Sequence, residues 1–246
     1  VVTVENDIVK SIVEKPKVPE GDIVNTGIYA FSREVLAFAE KVLDIPDAIN
    51  AMLAEGYGFR AMETDGTWLD IVYPWDILSL NEAVLRRIPA TLGGTIEAGA
   101  TVKGIVSIGR DTVIRSNSYI VGPAVIGENC DIGPNVCIMP STSIGDNVVI
   151  SPFCEIENSV IGNDVVIGSG SIIHDSVIDK GCIIKGHFNA SSGEAEVKIN
   201  NEFHRLNAGA MLGVSCTLGN SVVAQPGVLL GNYSRVQALK LIGGKL

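Results

Sequence analysis

Residues 124–150 read AVIGENCDIGPNVCIMPSTSIGDNVVI, and an isoleucine returns at every sixth position: Ile126, Ile132, Ile138, Ile144 and Ile150. The spacing extends back through Ile120, Ile114, Ile108 and Val102 to Ile96 and forward to Ile156, eleven positions in register, which is beyond coincidence. Many of these residues precede glycine, as in IGRD, IGEN, IGPN and IGDN. A residue without a side chain lets the backbone turn sharply after a short strand. The pattern predicts a parallel β-helix in which each six-residue unit forms one flat face and its aliphatic residue points to the axis.

Beyond Ile156 the step shortens twice by one residue, giving Ile161, Ile167 and Ile173, then Ile178 and Ile184. A polar stretch, KGHFNASSGEAEVKINNEFHRL at 185–206, then interrupts the repeat, and the hexad is expected to resume at Leu206, Leu212, Leu218, Ala224, Leu230, Val236 and Ile242. We assign 185–205 as a loop inserted into a β-helix domain spanning 93–246. Within it EVKINNEFHRL alternates, with Val197, Ile199, Phe203 and Leu206 available to pack, and Asn200-Asn201 suits a hairpin turn.

The net charge of −10, with no basic cluster, argues against a nucleic-acid partner. No apolar run approaches the roughly 18 residues that span a bilayer, and VVTVENDIVK lacks the build of a signal peptide. These features predict a cytoplasmic chain without a membrane partner. Cys130, Cys137, Cys154, Cys182 and Cys216 are widely spaced without a C-x2-C pair, so they read as small apolar fillers on strands rather than zinc ligands or disulfides.

The first ninety residues differ in texture. VVTVENDIVKSIVEKP alternates about Asn6-Asp7, a hairpin; VNTGIYAF reads as a short buried strand; REVLAFAEKVL places Val35, Leu36, Ala39, Val42 and Leu43 on one helix face. DAINAMLAEG is a second helix stopped by Gly56. A third, from about Pro74 to Arg87, leads through a helical linker at 81–92 into the repeat.

The hexads resemble those of the hexapeptide-repeat, left-handed β-helix proteins, many of which are trimeric acyltransferases. IVEKP at 12–16, NTGIYAF at 25–31 and WLDIVYPWDIL at 68–78 resemble, in order, the second half of the sugar-1-phosphate nucleotidylyltransferases. Together they resemble the bifunctional class in which such a domain precedes a β-helix. The fold so implied is mainly β, a left-handed parallel β-helix preceded at 1–80 by the C-terminal part of an α/β nucleotidyltransferase domain. By that resemblance Glu14 and Lys15 contact the sugar and its phosphate, Asn25 and the backbone of Gly27 hold sugar hydroxyls, and Asp70 is one of two carboxylates on Mg2+. Ile71 and Val72 stand where the family more often has a small pair. The glycine-rich nucleotide loop of the family has no counterpart here, so the chain reads as a C-terminal fragment of an enzyme joining a nucleoside triphosphate to a sugar-1-phosphate, inactive in that reaction by itself.

The resemblance also implies acetyl-CoA as a possible cofactor of the β-helix, acting on an amino-sugar-1-phosphate. Ser169 and Ile172 occupy the places of the expected His and Tyr, and His174 is expected on an outer surface. His187 and Asn189 fall near the family's Asn and are the replacement base and amide. The third reading is a purely structural, trimerising module, and a homotrimer is expected by analogy.

Overall fold

The computed structural model describes residues 1–14, 16, 18, 21–42 and 44–243. They form two compact units, Val1–Leu69 and Asp70–Leu246.

In the first unit, strands β1 (Val2–Glu5) and β2 (Ile8–Ile12) pair antiparallel. Asn6 and Asp7 both take the left-handed backbone a tight hairpin needs, with φ of 52° and 63°. Helix α1 is short, Val35–Ala39, and buries Phe38 while Leu36 stays exposed, so the expected Leu36 face is shifted. Helix α2, Ile45–Ala54, starts where the Asp44 carboxylate accepts from the Asp47 N–H at 2.9 Å. It ends before Gly56, whose φ is +88°. Ile49 of α2 packs on Val2, Val9 and Ile12, and Asn50 both accepts from the Ile12 N–H and donates to its carbonyl, closing the free edge of β2. VNTGIYAF is not a strand. Val2 N–H donates to the Ile23 carbonyl, but beyond it no strand pairs with 24–31 among the described residues, and Ile28 is 84% exposed.

In the second unit, three eight-stranded parallel sheets wrap one axis. Successive short strands pass to the first, second and third face in turn, so Ile126, Ile132 and Ile138 belong to one rung and stack in register on Ile144, Ile150 and Ile156. All six are at most 2% exposed. Burying each such side chain is worth about 1.5–3 kcal/mol, so the column of isoleucines supplies the core.

The glycines after the aliphatic positions do not make the turns. Gly109, Gly127 and Gly145 are not among the positive-φ residues. A Cβ on Gly127 would lie 2.6 Å from the Gly145 carbonyl on the next rung, so glycine is there for close stacking. The sharp bend falls three residues before the aliphatic, on left-handed residues such as Asn129, Asn135 and Asn147, a conformation Asn tolerates better than most. Two residues before the aliphatic lies a second buried column. Thr112 and Ser118 donate to the carbonyls of Gly127 and Gly133 at 2.6 and 2.7 Å, and Cys130, Cys154, Cys182 and Cys216 aim their thiols at Gly145, Gly168, Gly213 and Gly231. Four cysteines therefore occupy corners and act as weak donors to the carbonyls there, while Cys137 alone points outward from a strand.

The insertion begins later than 185. Phe188 is fully buried in the stack, and Asn189–Ala190 pairs with both neighbouring rungs. The chain leaves after Ala190 as an antiparallel arm, Gly193–Ile199 and Glu202–Ala208, and the stack resumes at Ala210–Leu212. Leu206 thus belongs to the arm. The lost residues between Ile156 and Ile161, and between Ile173 and Ile178, fall at the same corner, from third face to first.

The expected linker is also different. The stack opens at Thr91–Leu92, which pairs with Val106–Ile108. Helix α3, Asp76–Leu85, lies on the first face instead of bridging to it. Leu78 packs with Ala208 and Met211 beside Val160 and Val177, and Asn81 donates to the Ser141 carbonyl at 2.8 Å.

Candidate functional site

In the first unit the hairpin, the 22–29 segment and residues 59–68 enclose a cleft of about 720 Å3. Its floor is apolar, from Val2, Val9, Ile12, Ile49 and Phe59, and its rim is polar, from Asn25, Thr26, Thr64 and Asp22. The Asn25 Oδ1 accepts from the Gly27 N–H at 3.0 Å, and its amide donates to the Tyr29 hydroxyl. This side-chain turn, with φ of +76° at Gly27, fixes the rim. A carboxamide has two donor hydrogens and two lone pairs, so one of each is left after these bonds for a bound hydroxyl. Trp68 closes one wall, its indole N–H donating to the Thr26 carbonyl at 3.1 Å.

Of the sequence-derived residues, Asn25 lines this cleft. Gly27 sits on the turn behind it and is exposed, with nothing within 4 Å of where a Cβ would be. Glu14 is exposed after β2 and does not line it, and Lys15 lies outside the described residues. Asp70 is exposed at the start of the second unit. Six residues on, Asp76 uses its carboxylate on the N–H groups of Val72 and Tyr73, at 2.9 and 2.8 Å, which orders the entry to α3. Trp68, Tyr29 and Thr26 are the cleft residues the motif reading passed over. All three lie inside the motifs quoted above, and an aromatic wall beside a few amide and hydroxyl groups is the composition of a small-molecule pocket.

On the β-helix, His187 is a left-handed corner residue, φ 58°, with an exposed ring packed over Gly170; a Cβ on Gly170 would come within 2.7 Å of its Nδ1. Asn189 is turned to Ser191, whose N–H and hydroxyl donate to its Oδ1 at 3.1 and 2.6 Å. His174 lies on the outer surface of the third face, as expected, with Nε2 3.2 Å from Glu155 Oε1. His204 is on the returning strand of the arm, against the rings of Tyr73 and Trp75 at centroid distances of 4.3 and 5.8 Å. Its buried Nε2 has no hydrogen-bond partner among the described residues.

The fold defines a class by architecture: a small α/β unit followed by a three-faced parallel β-helix. Residues 1–87 match the Nucleotidyl transferase family, and residues 120–230 match the GMPPB C-terminal domain. More particularly, the chain is similar to curated sugar-1-phosphate nucleotidylyltransferases, one of them bifunctional with an acetyltransferase. It is 32% identical to a bifunctional sugar-1-phosphate nucleotidylyltransferase/acetyltransferase of Sulfurisphaera tokodaii, over 94% of this chain and 61% of that protein. It is 29% identical to a glucose-1-phosphate thymidylyltransferase of Streptomyces antibioticus, over 65% of this chain and 44% of that one. The chain thus spans about three-fifths of the Sulfurisphaera protein. Among solved structures, a UDP-N-acetylglucosamine O-acyltransferase of Moraxella catarrhalis aligns over 63% of this chain and 67% of its own, at 19% identity and TM-score 0.33. No helix among the described residues is long and apolar enough to cross a membrane.

Proposed function

We propose that the chain serves a sugar-1-phosphate nucleotidylyltransferase, in which a sugar phosphate oxygen attacks the α-phosphorus of a nucleoside triphosphate and pyrophosphate leaves. The first unit would hold the sugar of glucose-1-phosphate or a related sugar phosphate. The observation that carries this reading is the cleft with Asn25 on its rim and Trp68 on its wall, inside a nucleotidyl transferase segment. By the family resemblance Glu14, from outside the cleft lining, and Lys15 would be further sugar and phosphate contacts, and Asp70 a ligand for Mg2+. Its carboxylate is exposed and suits that ion's preference for oxygen donors. The ion would offset negative charge as the bridging oxygen departs.

Glucose-1-phosphate added to the chain should change the fluorescence of Trp68, read in a Trp75→Phe background, and Asn25→Ala should weaken that response at least about tenfold, a loss of roughly 1.4 kcal/mol. An Asn25→Ala response equal to the parent's would defeat the assignment. In the polypeptide that contains this chain, Asp70→Asn should remove Mg2+-dependent pyrophosphate release.

A second reading is favoured by the free, exposed ring of His187. It could take the proton from the amine of an amino-sugar-1-phosphate as that amine attacks the thioester carbonyl of acetyl-CoA, giving an amide and the CoA thiol. Asn189 would need to leave Ser191 to assist. Thiol release that survives His187→Ala would exclude this base. We also infer a homotrimer, the remaining function of the β-helix if it has no chemistry. Light scattering should give about three times the 25.9 kDa chain mass, and a mass of one chain rejects it.

A further inference from the structure

On the second unit, three side chains with metal-ligating atoms converge on the outside of the third face. In Glu155–Glu157 the inward residue is Ile156, so both carboxylates project outward. One rung on, Ile173 turns inward and His174 outward, and the parallel register sets His174 beside Glu157. One ligand atom from each of Glu155, Glu157 and His174 lies within 4.8 Å of the other two.

We propose that Glu155, Glu157 and His174 bind a divalent transition ion, with zinc as its first representative, across two neighbouring rungs. The donor set decides the class of ion. Two carboxylate oxygens and one imidazole nitrogen suit zinc, cobalt or manganese, whereas magnesium and calcium favour oxygen alone. The spacing is suitable. Around an ion with bonds of about 2.0–2.2 Å, adjacent ligand atoms stand roughly 3.0–3.6 Å apart, and His174 Nε2 is 3.2 Å from Glu155 Oε1. A Glu157 oxygen lies within 4.8 Å of both of these atoms.

A plain histidine–carboxylate hydrogen bond accounts for Glu155 but gives no reason for a second carboxylate on the same strand and face. Two carboxylates so placed repel each other, and a divalent ion removes that cost for both. The backbone is well suited to hold ligands: each strand is fixed by ladder bonds to rungs on both sides. The imidazole is largely covered, at 23% exposure, while the Glu155 carboxylate is 48% exposed, so an ion can enter from solvent and keep water in its open positions. The site is separate from the sugar cleft and does not depend on the nucleotidyl-transfer reading.

The test uses the whole chain, stripped with a chelator and titrated with Zn2+ by calorimetry and with Co2+ by visible absorption. One equivalent per chain is expected, and His174→Ala and Glu157→Gln should each weaken binding by about 10–100-fold. His187→Ala and Glu194→Gln should leave it unchanged. Glu157→Gln changes an exposed residue, so its result stands even if His174→Ala folds poorly. Absence of binding to the parent chain, equal affinity in Glu157→Gln, or a loss shared by His187→Ala overturns the proposal.

Discussion

Each rung assigns its residues narrow tasks. The inward aliphatic fills the axis, the residue two before it fills a corner and, where it is Thr, Ser or Cys, hydrogen-bonds a carbonyl there, and the left-handed residue three before it bends the chain. The cysteines illustrate the second task. Burial pushes the Cys182 thiol up to about 11 and raises Cys130 and Cys154 as well. Cys137 is raised by partial burial first and then by Glu155 and Glu157, and it is the one cysteine that is only partly buried. At pH 8 a thiol reagent should therefore modify at most Cys137 in the folded protein, with the other four released only by denaturant. Rapid labelling of two or more thiols in native buffer would contradict the corner placement. The periodicity located these cysteines on the β-helix but could not assign their task, because a thiol in a corner and a thiol filling a strand interior obey the same spacing. Similarly, glycine after isoleucine was legible as a requirement, yet the cause is the backbone of the next rung, which no local pattern displays.

At the scale of elements, one rung departs from the rest. Around Ile178, Ile184 and Ala190 the small Ala190 occupies an aliphatic position, and the volume it gives up is taken by Phe188, buried where other rungs of the third face carry Ser118, Val136, Cys154, Ser171 or Val222. Phe188→Ala should cost about 3–5 kcal/mol, read as a fall in denaturation midpoint with unchanged slope, and Ala190→Ile alone should also destabilise by overpacking. This compensation explains why the insertion was placed too early from sequence. Phe188-Asn189-Ala190 lacks the expected β-branched residue, so the hexad seemed to end at Ile184 when another strand followed. The return at Leu206 was misread for the converse reason. Leu206 falls in phase with the later hexads but packs from the arm against the α3 layer. Alternation did reveal the arm as a hairpin with Asn200-Asn201 at its tip, since both residues carry positive φ. In the first unit the two-residue turn and α2 were legible from local chemistry, whereas 24–31 was not, because strand formation depends on a neighbour that sequence cannot supply.

For the molecule as a whole, charged ladders staple the outer surface of the stack. Arg115 bonds Asp131 at 2.9 and 2.8 Å on one neighbouring rung and Glu97 at 3.3 Å on the other. The Ser116 N–H and hydroxyl hold the Glu97 carboxyl below the usual carboxylate range, and Arg115 does so for Asp131. A carboxyl with a lowered folded pKa adds stability above its unfolded value, and that contribution disappears as pH falls through the folded one. Asp131→Asn should therefore melt slightly below the parent at pH 7 and approach it as pH falls below the ordinary aspartate range and through the lowered folded value. A difference that persists in acid would place its cause elsewhere.

Both shortened steps and the arm occur at one corner, between third and first faces. A rung is a closed loop of chain, and a loop can be let out or taken in at a single seam without altering the height of the stack. Beyond the opening rung, where the step from Leu92 to Ile96 is short, the other two seams keep constant count, so they act as a spine on which each turn is edited independently. New segments could be grafted along that one seam while the pitch of the whole column is preserved.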